Sequence, residues 1–157
     1  HGDSSRMYVA GKINRKIYEL LKTTYECLLI GISNALPGKY LGDIGYEIQK
    51  YAEEKNYSVV RDFCGHGIGK EFHTSPSVLH YGNLGEGPEL KPGMFFTIEP
   101  MINIGDWRVK TLNDGWTAVT KDKSLSSQFE HTIGITETGN EIFTLSHNNT
   151  DFPINSL

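Results

Sequence analysis

Apolar residues recur along this chain in two rhythms, and the change from one to the other divides it. Ser5-Arg6-Met7-Tyr8-Val9 alternates polar and apolar side chains before Gly11, which predicts a short strand with Asp3 at its entrance. The spacing then lengthens. Ile17, Leu20, Leu21, Leu28, Ile32 and Leu36 fall at three- and four-residue steps, predicting an amphipathic helix of about six turns, capped by Asn14 and stopped by Pro37-Gly38. A second helix is expected from about Asp43 to Lys55, with Ile44, Ile48, Tyr51 and Ala52 on one face and Asn56 as terminator.

Beyond Asn56 the period falls to that of strands. Tyr57 to Cys64 is expected to be extended and to deliver its end into Gly65-His66-Gly67-Ile68-Gly69. The density of Gly, Pro, Asn and Ser between Thr74 and Gly93 predicts a loop-rich connection that walls a pocket. Met94 to Ile98 is an almost wholly apolar strand, and Pro100 just beyond it prevents simple continuation of its ladder. Asp114-Gly115 marks a turn before Trp116 to Thr120. Phe129 to Thr136, the turn at Thr138-Gly139-Asn140, and Ile142 to Leu145 read as a hairpin, and the polar tail from Ser146 is expected to pack weakly. Two helices followed by a run of strands give an α+β domain without internal repeats, and no linker divides residues 1–157.

Composition narrows the function classes. At 157 residues the chain suffices for one domain with a real core, burying roughly 68–70% of its unfolded surface. Fifteen basic against nineteen acidic residues, net charge −4, leave no basic stripe for nucleic acid and no cationic face for a membrane. No apolar stretch approaches the roughly 18 residues of a membrane span. Cys27 and Cys64 form no CxxC pair, so a reducing compartment fits and a disulfide framework is not expected.

Four residues then carry the chemistry: Asp3, His66, Glu99 and Glu130. Alone, each has an ordinary explanation: a turn-capping aspartate, a histidine in a glycine-rich turn, a strand-end glutamate reaching solvent, a solvated edge residue. Glu99 is the strongest, because a carboxylate at the end of an apolar strand is partly desolvated and needs a cation or donors. The glycines around His66 would let the backbone bend sharply and bring the imidazole close to something compact. Three carboxylates and an imidazole can share one pocket only if a cation cancels their repulsion. Hard oxygen ligands with one nitrogen suit Mn, Fe, Co or Zn, and two such ions about 3.5–4 Å apart activate water for hydrolysis.

The order and spacing of Asp3, His66, Phe72-His73, Glu99 and Glu130, together with Cys64-Gly65-His66-Gly67-Ile68-Gly69, Thr97-Ile98-Glu99-Pro100-Met101, Asp114-Gly115-Trp116 and Ser127-Gln128-Phe129-Glu130-His131-Thr132, closely resemble the type I methionine aminopeptidases, over residues 1–145. The resemblance implies the pita-bread fold, an α+β architecture whose curved antiparallel sheet carries helices on its outer face. It implies two divalent ions, Co, Mn, Fe or Zn, with Asp3 and Glu130 bridging them and His66 and Glu99 completing one. Glu99 would also shuttle a proton, and His73 would hydrogen-bond the substrate. Phe72 and Trp116 would line the methionine pocket, and a monovalent cation would sit near Ser126. The implied substrate is the N-terminal methionine of nascent chains with a small second residue, with ribosome association and a cytoplasmic location as further expectations.

The resemblance also implies a further aspartate ligand, a second histidine and part of the methionine pocket upstream of Asp3. The chain is therefore expected to be the C-terminal half plus the last strand region of an N-terminal half, and to be inactive or impaired alone. Two alternatives stay open: a proline-directed peptidase of the same fold, and a non-catalytic pita-bread module that binds peptides or proteins. Convergent carboxylates speak against the second, since a binding module has no need of them.

Overall fold

The computed structural model describes residues 1–146, so most of the polar tail lies outside the described residues. Helix α1 spans Arg15–Asn34, and the Asn14 side chain caps it by accepting from the Ile17 N–H at 2.9 Å, as expected. It ends before Leu36. The Asn140 amide donates to the carbonyls of Ile32 and Ala35, so a side chain more than a hundred residues away satisfies the last turn. Helix α2, Leu41–Glu54, begins two residues before the expected Asp43. Asp43 is instead the third helical residue, and its carboxylate accepts from the Tyr40 N–H at 2.9 Å and from the Gly85 N–H at 2.7 Å. Asn56 terminates the segment with a left-handed φ of 62°.

Among the described residues ten strands follow: β1 Ser58–Val59, β2 Gly65–Gly67, β3 Thr74–Val78, β4 Phe95–Ile98, β5 Met101–Asn103, β6 Val109–Thr111, β7 Ala118–Thr120, β8 Ser126–Gln128, β9 His131–Ile135 and β10 Asn140–Ile142. All pairings are antiparallel, in a five-stranded sheet β10-β9-β4-β2-β3, a three-stranded sheet β1-β5-β8 and a β6-β7 hairpin. The expected Tyr57–Cys64 strand is cut down to Ser58–Val59. That part pairs with β5, while residues 61–64 bend so that β2 joins the other sheet. The Thr74–Gly93 connection opens with a strand, β3, because its backbone pairs with β2. Ser5–Val9 contributes only a bridge from Ser5 to Glu130, since extension alone does not make a strand when the neighbouring residues find no partner. Pro100 acts as expected: β4 and β5 flank it and belong to different sheets.

The helices pack on the sheets through Leu20, Cys27, Leu28, Ile32, Ile44, Ile48, Phe96, Ile98, Ile102 and Ile133, all buried. Gly31 sets the distance. A Cβ there would lie 2.7 Å from Ile48 Cδ1 and 3.0 Å from Ile98 Cγ2, so α1 approaches both α2 and β4 through a position where an added methyl would displace these side chains. The Cys27 thiol, deep in this layer, is pushed up to about 12 by burial, which leaves it an inert packing group. Among the described residues, no helix is long and apolar enough to cross a membrane.

Candidate metal centre

Strand register brings the acidic residues together. β4 pairs with β9 so that Thr97 faces Thr132 and Ile98 faces His131, and one step further along the same register Glu99 stands opposite Glu130. On its other side Glu130 exchanges backbone hydrogen bonds with Ser5, at 3.0 and 3.4 Å. Asp3 lies two residues before Ser5 and is pinned by Thr132, whose hydroxyl accepts from the Asp3 N–H and donates to the Asp3 carbonyl, both at 2.8 Å. Like charges facing each other across a strand pair repel, so this arrangement costs stability in a metal-free chain.

His66 completes the group from β2. Its Nε2 lies 3.6 Å from Asp3 Oδ2 and 3.8 Å from Glu99 Oε1. Its Nδ1 is 3.0 Å from the Gly67 carbonyl, which selects the tautomer with the proton on Nδ1 and leaves the Nε2 lone pair facing the carboxylates. The flanking glycines serve a purpose other than the expected sharp bend. β2 is extended, and a Cβ on Gly65 or Gly67 would overlap the carbonyl oxygen of Thr97 or Ser75 respectively. Their role is close approach of three strands, which fixes the height of the imidazole between them.

Several supporting residues were not identified from sequence. Thr97 Oγ1 accepts from the His66 N–H at 3.0 Å and donates to Glu99 Oε1 at 2.8 Å, tying two site residues to one hydroxyl. Gln128 donates to Glu99 Oε2 at 3.2 Å. The period of two along each strand puts Thr97 in line with Glu99, and Gln128 and Thr132 in line with Glu130, so that signal was available. His80 gave none. It is buried, its pKa is pushed down to about 3 by desolvation, and its neutral Nε2 accepts the Glu99 N–H at 2.9 Å.

The electrostatics show what the group lacks. Burial raises the Glu99 carboxyl above its ordinary value, with the nearby Asp3 adding to the rise and Thr97 and His66 opposing it. Glu130, 5% exposed, is pushed up to about 8 by burial and then by Glu99 and Asp3. Its Oε1 is buried without a hydrogen-bond partner. A buried, orphaned carboxylate oxygen beside two further carboxylates and a presented imidazole nitrogen fits a divalent cation, which would satisfy the oxygen and cancel the repulsion. Ligand atoms of His66, Glu99 and Glu130 lie within 4.8 Å of one another, as do those of Asp3, His66 and His73.

The remaining expected residues divide. His73 and Phe72 are in the neighbourhood: the His73 ring centroid is 4.3 Å from that of His66, and that of Phe72 is 5.8 Å from it. Trp116 stands in the turn of the β6-β7 hairpin, 80% exposed, outside the cluster. Ser126 is exposed and opens β8 opposite Asn103.

Known proteins with this pattern are peptidases. A methionine aminopeptidase of Rickettsia prowazekii is 56% identical over 154 residues, which cover 98% of this chain and 60% of that protein. The crystal structure of a methionine aminopeptidase from Thermotoga maritima superposes with a TM-score of 0.90 at 45% identity, covering 92% of this chain and 58% of that one. A prolidase from Pyrococcus furiosus shares the fold at a TM-score of 0.71 and 27% identity, over 93% of this chain and 37% of that one. The chain thus spans about three-fifths of the length of the curated relative it matches. The α+β architecture is that of the pita-bread fold these structures share. The model of metallopeptidase family M24 runs across residues 1–137, through Asp3, His66, Glu99 and Glu130 alike, and the chain belongs to that family.

Proposed function

We propose that this chain supplies most of the active site of a dinuclear metalloaminopeptidase that removes the N-terminal methionine from polypeptides with a small second residue. The observation that carries the reading is the convergence of Glu99, Glu130 and Asp3 on the free Nε2 of His66, with the Glu130 oxygen buried and unpartnered. Asp3, His66, Glu99 and Glu130 would hold two divalent ions between them. When bound, such ions supply Lewis acidity toward a carbonyl and make water a usable nucleophile near neutral pH.

The chain's own groups have distinct tasks. Glu99, raised by burial and held by Thr97 and Gln128, takes the proton of the attacking water and returns it to the leaving amine; general acid–base catalysis of this kind contributes about 10²–10⁴-fold. His73, exposed at the mouth beside Phe72, donates a hydrogen bond to the substrate. Phe72 offers an apolar ring to the methionine side chain.

Cleavage of Met-Ala-Ser and of Ala-Pro tests the reading, measured with Mn²⁺ for residues 1–157 alone and fused to the N-terminal region of the R. prowazekii relative. The expected result is methionine release by the fusion and much slower release by the chain alone. Preference for Ala-Pro would replace the reading with a proline-directed one. Absence of both activities in a folded fusion that binds Mn²⁺ would favour a binding module. Full turnover by the unfused chain would refute an incomplete second-ion shell.

A further inference from the structure

His66 belongs to two triads at once. Its Nδ1 is turned to the Gly67 carbonyl, so both must use the single lone pair on Nε2. One lone pair binds one ion. An ion held by His66, Glu99 and Glu130 therefore excludes an ion held by His66 in the other triad, with Asp3 and His73.

The two cages differ in chemistry and depth. The inner one has two largely buried carboxylates and one imidazole. The outer one has two imidazoles and one carboxylate, and His73 is exposed. Carboxylate oxygen suits Mn²⁺, whereas imidazole suits Zn²⁺. We propose that Asp3, His66 and His73 form an alternative, Zn²⁺-selective site at the mouth of the centre, whose occupation withdraws His66 from the inner cage. Zn²⁺ takes four ligands, so three protein ligands leave one position open to water or to a peptide amine.

The geometry is close to closure. Two ligands on one tetrahedral Zn²⁺ stand about 3.3–3.6 Å apart, given bonds of about 2.0–2.2 Å. His66 Nε2 and Asp3 Oδ2 already meet this at 3.6 Å, and the triad's widest separation is within 4.8 Å. The His73 ring packs edge-on against both His66 and Phe72, with centroids 4.3 and 4.6 Å away, which holds it near the position a ligand requires. A tilt of this exposed ring closes the cage. The same tilt takes His73 away from a substrate. This consequence rests on the proposed role of His73 in peptide binding; the site itself does not.

The experiment is calorimetric titration of the metal-free chain with ZnCl₂ and MnCl₂, for the wild type, His73→Ala and Glu130→Gln, with histidine ring nitrogens followed by NMR on the wild type during Zn²⁺ addition. His73→Ala is expected to weaken Zn²⁺ at least tenfold and to leave Mn²⁺ within twofold, and Zn²⁺ should shift the ring nitrogens of both His66 and His73. Unchanged Zn²⁺ affinity in His73→Ala, equal losses for both ions, or a Zn²⁺ shift confined to His66 would each overturn the proposal. The wild-type NMR reads the two rings directly, however the variant folds. Glu130→Gln separates the two readings: unchanged Mn²⁺ affinity there would sink the inner cage while leaving the His73 result standing.

Discussion

Two groups of carboxylates in this molecule have opposite fates. Around the β6-β7 hairpin, Asp106, Asp114 and Asp122 sit at the surface, and each is held below the ordinary carboxylate range by nearby donors. The Arg108 N–H is the leading one for Asp106, the Thr117 hydroxyl for Asp114 and the Ser124 N–H for Asp122, and in each case further hydrogen bonds add to it. These are turn-building groups, satisfied by donors of their own loops and, for Asp122, also by the Asp106 N–H across the base of the hairpin. At the metal centre, Glu99 and Glu130 are raised by burial, face each other across a strand pair, and leave an oxygen unpartnered. A carboxylate with its own donors needs nothing from outside; a buried one without them is suited to hold a cation. Acidic residues in themselves carry little information, and their hydrogen-bond partners carry most of it.

The sharpest break of this contrast is a pair of isosteric changes. Glu130→Gln is expected to weaken Mn²⁺ binding by more than about 100-fold, because even partners behind a ligand are worth about 10–100-fold. Asp114→Asn should leave Mn²⁺ affinity unchanged and lower thermal stability instead. Equal Mn²⁺ affinities in the two variants, measured by calorimetry, would erase the distinction.

Thr97→Val comes next. It removes the hydroxyl shared by His66 and Glu99 while keeping the shape, so a loss of about 10–100-fold in Mn²⁺ affinity is expected with the fold retained. An unchanged affinity would show that Glu99 is oriented by Gln128 alone.

Gly67→Ala probes the packing that sets the imidazole. The new Cβ overlaps the Ser75 carbonyl, so urea denaturation should report a loss of about 1–3 kcal/mol, the usual cost of overpacking. A neutral result would return the glycines of this motif to an incidental role.

The remaining expected effect is on pH. Glu130 at about 8 and a raised Glu99 bind protons in the folded, metal-free chain that the unfolded chain has already released above its ordinary carboxylate pKa. Their contribution is therefore fully present below about pH 4 and is lost as pH rises toward 8, so the metal-free chain should melt at lower temperature at pH 8 than at pH 5.5. Glu130→Gln should flatten this slope, and saturating Mn²⁺ should remove or invert it. A metal-free melting temperature that rises through this interval would contradict the burial of these carboxylates without partners.

Much of this was legible without coordinates because it is local or carried by a recognisable set of residues. Three- and four-residue spacing placed α1 and α2, Asn14 capped where an N-cap residue should, Pro100 separated two strands, and a hairpin followed β9 as expected, although its second arm is Asn140–Ile142 and not Ile142–Leu145, because Asn140 already pairs with Ile135. Asp3, His66, Glu99 and Glu130 stood out as chemically consistent ligands at a spacing that resembles one family. What alternation could not decide was which segments find a partner. Ser5–Val9 reads as a strand and pairs at one residue, Tyr57–Cys64 reads as one strand and is a strand only over Ser58–Val59, and the loop-like Thr74–Val78 pairs with β2. Pairing is set by long-range register, which no short window contains. The same limit hid the support of the site. His80 under Glu99, Asn140 at the end of α1 and Thr132 beneath Asp3 act across separations at which only the folded backbone brings donor to acceptor. Sequence determined which side chains were chemically able to hold a cation; tertiary structure decided that they meet, and that they meet with an oxygen left over.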